Sequence, residues 1–124
     1  MYFIDQMKLL WEIMSHFNQL PEFERELKKL SKKYRSLIND IQDFEGIIRN
    51  DPLGVGRGFV IIHSSLSCKI IKARLACESL NNRNMRIIYA YHKDKIEFMY
   101  IELYSKGDKE TEDRERIARY LKNF

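Results

Sequence analysis

The sequence predicts an α+β fold, a small antiparallel sheet with a helical hairpin before it and a helix after it. Three observations predict it. Apolar residues recur at helical spacing through residues 21–50, strand-like runs follow between residues 59 and 104, and short polar links separate those runs. Strands that follow one another through short links pair antiparallel, which sets this class apart from alternating α/β folds. At 124 residues the chain has the size of one domain with a single core.

The elements follow in order. Residues 15–20, SHFNQL, read as a short strand ending at Pro21. Proline suits the first turn of a helix, where its missing N–H costs nothing. From there Phe23, Leu27, Leu30 and Tyr34 mark one helical stripe, with the lysines of KKLSKKY on the outer side. A second helix is expected from about Ser36, with Leu37, Ile41, Phe44 and Ile48 in its stripe and Ile38 and Ile47 widening it. NDPLGVGRG ends it with turn residues. FVIIH and KIIKARLAC are then strands separated by SSLS, and ESLNNRN is a polar turn. MRIIYAYH and KIEFMYIELY flank Lys93 and Asp94, a hairpin signal that lacks the favoured glycine. After SKGDKETED, the residues Ile117, Tyr120, Leu121 and Phe124 give a terminal helix a thin apolar seam. Residues 1–13 form an extension, either a further helix packing through Leu9, Leu10 and Trp11 or a dispensable segment. The second reading is preferred, because terminal residues are often untethered, and the domain proper is placed at residues 14–124.

Hydrophobic residues make up 44% of the chain and charged residues 32%, a balance that belongs to a folded protein and not to a disordered one. No apolar run reaches the roughly 18 residues of a membrane span. The N-terminal stretch has neither the basic head nor the cleavage site of a signal peptide. Cys68 and Cys77 stand too far apart along one candidate strand to pair, so reduced thiols and a cytoplasmic location are expected. The net charge of +4 is unevenly spread. Residues 1–50 hold 8 basic and 8 acidic residues and residues 107–124 hold 5 of each, whereas residues 51–106 hold 9 basic against 5 acidic. The whole excess lies where the chain reads as sheet. That favours a polyanionic partner, nucleic acid before membrane, because no basic amphipathic helix stands out.

Most site chemistries find no pattern here. His16, His63, Cys68, Cys77 and His92 show no CxxC or HxxxH spacing, so no metal site is expected. Ser64, Ser65 and Ser67 lack a GxSxG context, and GVGRG lacks the Lys-Ser or Lys-Thr of a phosphate loop. No cofactor is expected. Glu97 and Glu102 are the strand carboxylates, and their odd separation assigns them to opposite faces, against a two-carboxylate hydrolase.

The cations of the strands do form a pattern. Lys72 and Arg74, two apart, share one face, while Ile71, Ala73 and Leu75 point to the other. Lys69 falls on the face opposite Lys72. Arg86 opens the next strand, followed on its own face by Ile88, Ala90 and His92. Neighbour pairing brings Arg86 against Lys72 and Arg74, and Lys106, just beyond Tyr104, closes the set from the side. A single strand cation is ordinarily a solvated residue. Four together, with no matching acid on the same faces, are expected to hold an anion.

On four motifs in order, the chain resembles a RelE/HigB-type toxin of type II toxin–antitoxin modules, in the RelE/ParE superfamily. LPEFERELKKLSKKYRSLINDIQDFEGIIRNDPLG is similar to the family's helical hairpin and the turn after it, and KIIKARLA to its basic strand. MRIIYAY is similar to its arginine-bearing strand, and IELYSKGDKE to its closing strand and lysine-bearing turn. The match runs from about residue 15 to the C-terminus. The resemblance implies a small twisted antiparallel sheet with helices on one face and an RNA-binding cleft on the other. It implies an mRNA endonuclease, often acting on the ribosome, that inhibits translation and uses the RNA 2′-OH as nucleophile without a metal. Carried over by position, Lys72, Arg74 and Arg86 would hold and neutralise the scissile phosphate, and Lys106 would assist the leaving oxygen. Arg83, Tyr91, His92, Tyr104 and Lys109 would contact the RNA. The implied partners are a cognate antitoxin and mRNA, with no membrane, and operator DNA only through the antitoxin complex. An acidic or amphipathic antitoxin segment would cover the sheet face or displace the terminal helix.

The sequence departs from RelE itself in three places. Arg74 stands where a lysine is proposed as general base, and a guanidinium is a poor base, which leaves Lys72 for that role. Lys106 stands where an arginine is proposed as the acid. A tyrosine thought to stack on a base has no match; Glu112 falls near it, and Tyr104, Tyr91 or His92 are its substitutes. Two other readings share the resemblance: a ParE-like inhibitor of DNA gyrase, which needs no cationic site, and an inactive homologue that only binds antitoxin. The cationic set favours the ribonuclease.

Overall fold

The structure is a computed structural model that describes residues 16–54, 56–81 and 84–123. The extension at 1–13 and Arg83 lie outside the described residues. The elements are β1 (His16–Gln19), α1 (Pro21–Lys33), α2 (Leu37–Asn50), β2 (Phe59–Ser64), β3 (Cys68–Leu75), β4 (Met85–His92), β5 (Glu97–Ser105) and α3 (Arg114–Lys122). A single 3₁₀ turn, Glu78–Leu80, links β3 to β4. The strands make one sheet in the order β1-β5-β4-β3-β2. Sequence neighbours from β2 to β5 pair antiparallel, as their short links require. β1 has no such neighbour, because the hairpin carries the chain across to the far edge, and it docks parallel on β5.

α1 and α2 lie on one face of the sheet. Phe23, Leu37, Ile41, Phe44 and Ile48 pack there against Ile71, Ala73, Leu75, Met85, Ile87, Tyr89 and Phe98. Ile38 and Ile47, expected to widen the stripe of α2, are about half exposed at 50% and 54%. The helix presents one narrow stripe to the sheet, and a residue beside that stripe faces solvent. α1 starts on Pro21 with Glu22 and Glu24 in its first turn and ends on Lys32 and Lys33, charges that complement the helix dipole at both ends. Gly54, after α2, has φ +71°, and a Cβ there would lie 2.0 Å from the Phe59 ring, so the turn that leads into β2 needs glycine.

α3 lies on the other face, over one end only. Its Ile117 joins Cys68, Ile70, Ile88, Ala90, Ile101 and Tyr104 in a second, smaller core. Asp113 caps the helix by accepting the Arg116 N–H at 3.0 Å. The Arg116 guanidinium grips both oxygens of Glu26 on α1, at 2.8 and 2.9 Å, and donates to the Ile101 carbonyl at 2.9 Å. Glu26 in turn accepts the Leu103 N–H at 3.1 Å. These side chains close the stretch of β5 edge that the short β1 leaves bare.

Two local irregularities redirect side chains. In the pairing of β4 with β5, Ile88 opposes Glu102 but Tyr89 opposes Tyr100, so Ile101 is an extra residue. This bulge inverts the alternation along β5. Glu97 opposes His92 and Glu102 opposes Ile88, so both glutamates share the α3 face, contrary to the reading from their odd spacing. The β4–β5 connection is also longer than the two-residue turn expected. β5 begins at Glu97, and Ile96 in the link has φ +53°. Among the described residues, no helix is long and apolar enough to cross a membrane.

Candidate nucleic-acid interface

The cations converge because of register. Arg74 on β3 is directly opposite Arg86 on β4, which is opposite Tyr104 on β5. In the next row Lys72 is opposite Ile88, which is opposite Glu102. Directly opposed residues share a face, with Cβ atoms about 5 Å apart. Lys72, Arg74, Arg86 and Tyr104 therefore occupy two adjacent rows at the end of the face that α3 leaves open. Arg74 is exposed and its backbone N–H donates to the Gly58 carbonyl at 2.8 Å. Arg86 donates one guanidinium N–H to the Met85 carbonyl at 3.1 Å. Among the described residues neither arginine has an acidic ion-pair partner. Lys106 is exposed just past β5, and its backbone N–H donates to the Asn84 carbonyl at 2.6 Å, which ties it beside the start of β4.

Acids do reach this face, which corrects the expectation that none would. Glu102 is fully buried. It pairs with the Lys109 ammonium and accepts the Asp113 N–H at 2.7 Å. Glu112, in the loop before α3, lies 3.5 Å from the Lys72 ammonium and accepts the Thr111 hydroxyl at 2.7 Å. Burial works against the Glu112 charge, but the Thr111 hydroxyl, its own N–H and Lys72 together outweigh it and hold the carboxyl below its ordinary pKa. Glu112 is therefore an anion at neutral pH. Tyr104 is 5% exposed, and its hydroxyl has no hydrogen-bond partner among the described residues. Burial, helped by the charges of Glu112 and Glu102 and partly offset by Arg86, pushes its pKa up to about 12, so it is a hydrogen-bond donor. The Lys109 ammonium lies 5.5 Å from the centre of its ring.

The remaining sequence candidates lie elsewhere. Tyr91 points to the hairpin face, tilted on Phe98 with ring centres 5.0 Å apart. With Lys69 and Lys93 it lines an open cavity of about 320 Å³ behind the sheet. His92 shares the Arg86 face but stands six residues further along β4, about 20 Å away. There it contacts the Tyr120 hydroxyl of α3. Burial lowers its pKa; Glu97 opposes the shift and Lys95 adds to it. Both cysteines are free and buried, and burial pushes the Cys68 thiol up to about 11. No group of three His, Cys, Asp or Glu among the described residues is placed to hold a metal.

Sequence reasoning assigned neither glutamate a role in the site, although it set Glu112 near an unmatched tyrosine position of the resembled family. Glu102 needed the bulge at Ile101. For Glu112 a signal existed: Asp113 followed by RERIARYL reads as a helix cap, which fixes the residue before it at the mouth of α3.

This arrangement has known structural neighbours. A chain of the archaeal RelE–RelB complex from Pyrococcus horikoshii OT3 aligns at a TM-score of 0.59, covering 76% of this chain and 97% of that one, with 15% identity. A mutant of the E. coli toxin RelE in the free state, with two arginines replaced by alanine, aligns at 0.52, covering 90% and 98%, with 14% identity. The chain thus has the RelE-type toxin fold. No protein-family model matches it, and no curated protein matches its sequence.

Proposed function

We propose that this protein is the toxin of a type II toxin–antitoxin pair and an endoribonuclease that cleaves mRNA, acting on the ribosome. One observation carries the reading: Arg74 and Arg86 face each other directly across β3 and β4, with Lys72 in the next row. Like charges opposed in this way destabilise a sheet. An anion bound between them removes that cost, and a phosphodiester is an anion that a cluster of strand cations is suited to meet. Attack of the RNA 2′-oxygen on the adjacent phosphorus builds negative charge on the non-bridging oxygens and on the leaving 5′-oxygen. Cations already fixed at that position stabilise the transition state more than the ground state. Lys72, Arg74 and Arg86 hold the phosphate, and Lys106 protonates the leaving oxygen. Tyr104 and Lys109 border the same end and line the path of the RNA. A cognate antitoxin is the protein partner, a reading supported by the RelE–RelB complex among the structures of this fold.

The test is inducible expression, with primer-extension mapping of a translated message in vitro. Wild type is expected to arrest growth and to cut the message in phase with codons when ribosomes are present. Arg86→Ala is expected to lose roughly 10²–10³ in cleavage rate. Intact message with cleaved supercoiled DNA would give the gyrase-inhibitor reading instead. A wild type that leaves growth untouched would sink the toxin reading.

A further inference from the structure

The Lys72–Glu112 contact is the odd element of this face. A site built only to hold phosphate gains nothing from a carboxylate among its cations, since the carboxylate repels the ligand. Glu112 is less committed to the fold than Glu102, although it pairs with Lys72 and its side chain is only 9% exposed. Glu102 spends both oxygens, one on Lys109 and one on the Asp113 N–H, and is sealed from solvent. Glu112 instead lines an open cavity of about 420 Å³ with Ile62, Arg114 and Ile117, directly beside Lys72. Tyr104, whose hydroxyl is buried without a partner among the described residues, lies within electrostatic reach of Glu112 and of Arg86. A polar group left unsatisfied at 5% exposure points to a ligand at this spot.

We infer that Glu112 is the general base of the RNA cleavage proposed above, accepting the proton of the attacking 2′-hydroxyl. The assignment rests on that reading. Elimination among the neighbours supports it. Arg74 and Arg86 carry guanidinium groups, which are poor bases, Lys72 is engaged as a donor to Glu112, Tyr104 keeps its proton near neutral pH, the Glu102 oxygens are occupied, and the Asp113 oxygens face Arg116, one accepting its N–H and the other paired with its guanidinium. Glu112 is the ionised acceptor that remains among the described residues at this end. Its depressed pKa makes it a mild base in the free protein. Binding of a phosphate to Lys72 neutralises part of the charge that depresses it, so its basicity rises as the substrate arrives.

The step balances as follows in atoms. A Glu112 carboxylate oxygen takes the 2′-OH proton while the O2′–P bond forms and the P–O5′ bond breaks. The departing 5′-oxygen takes a proton from the Lys106 ammonium. The products are a 2′,3′-cyclic phosphate and a 5′-hydroxyl end, and water returns the proton from Glu112 to Lys106. Lys72 from β3 pairs with Glu112, Arg114 at the start of α3 shares its cavity, and Asp113 follows it in the chain; Tyr104 on β5 links it to Arg86, Glu102 and Lys109, which act on or lie over that ring.

Single-turnover cleavage of a short message on programmed ribosomes tests this, alongside binding of the same message carrying a 2′-deoxy residue at the cut site. Glu112→Gln is expected to lose roughly 10²–10⁴ in rate while deoxy-message binding stays within about threefold. Glu112→Ala is expected to regain at least about tenfold in formate over chloride at equal ionic strength, because formate can accept the proton that the missing side chain took. Glu112→Asp, which keeps the charge, guards against a fold effect: it is expected to cleave measurably without formate. Wild-type cleavage together with a Glu112→Gln rate within about threefold of it, or a formate response no larger than that of chloride, overturns the assignment alone. A wild type that does not cleave overturns the nuclease reading and this one with it.

Discussion

The two faces of the sheet are built from alternate residues of the same strands, and they answer to opposite demands. On the hairpin face, Ile71, Ala73, Leu75, Met85 and Ile87 are all sealed from solvent. On the other face their immediate neighbours are Lys72, Arg74 and Arg86. A slip of one residue in register would exchange the two sets, so the dry face pins the register that brings the cations together. The cationic face offers the fold no comparable stabilisation, since its two arginines oppose each other across the ladder. The hairpin face thus carries the larger core, the α3 end of the other face a smaller one, and the open end of that face carries a local cost for binding.

The largest expected effect comes from breaking the dry face. Phe98 is 1% exposed and stacks on Phe17 with ring centres 4.6 Å apart. Phe98→Ala is expected to remove about 3–5 kcal/mol of unfolding free energy, read from denaturant titration. A loss below about 1 kcal/mol would mean that this face does not dominate stability.

A smaller effect of opposite sign sharpens the contrast. Arg74→Gln keeps most of the side-chain stem and removes the charge that faces Arg86. It is expected to raise stability by about 0.2–1 kcal/mol at low salt. The gain should fade toward 1 M salt, where screening falls to about 3 Å. The same variant is expected to lose cleavage. Stability that falls at low salt, or a gain that ignores salt, would show that Arg74 has a partner in the fold and no strain to release.

How far the sequence displays this contrast depends on where alternation holds. Along β3 and β4 it holds throughout, and the face shared by Lys72, Arg74 and Arg86 is readable from spacing alone. The same rule places Tyr91 on the hairpin face, one residue from His92. Along β5 alternation fails at Ile101, because a bulge inserts a residue with no local signature, and Glu102 changes face. The Lys72–Glu112 contact spans 40 residues of chain and depends on how α3 is tethered, chiefly through Arg116 and Glu26. No window along the sequence contains that information. The helical stripes were readable but too generous: Ile38 and Ile47 have the right spacing and the wrong side of the helix. The parallel docking of β1 on β5 likewise follows from where the hairpin delivers the chain, and not from anything within HFNQ.

The smallest effect concerns the two ends of the α3 face, the covered end and the open one. At the covered end His92 sits against the Tyr120 hydroxyl of α3 with its pKa lowered, first by burial. A histidine whose folded pKa lies below its unfolded value of about 6.5 binds fewer protons in the native state than in the unfolded one. Its contribution is therefore complete above that value and is lost as pH falls through it toward the folded pKa. The thermal midpoint is expected to decline modestly between about pH 7 and pH 5, and His92→Gln is expected to flatten that part of the curve. At the open end the carboxyls of Glu112 and Asp113 are both held below their ordinary values of 4.5 and 3.8. Their stabilisation is present above those values and lost below them, so a second decline lies at lower pH and should survive in His92→Gln. Two separable declines would mean that α3 and the cationic loop respond to acid independently. A slope between pH 7 and 5 that persists in His92→Gln would move the acid sensitivity of the covered end to another group and remove the distinction between the two ends.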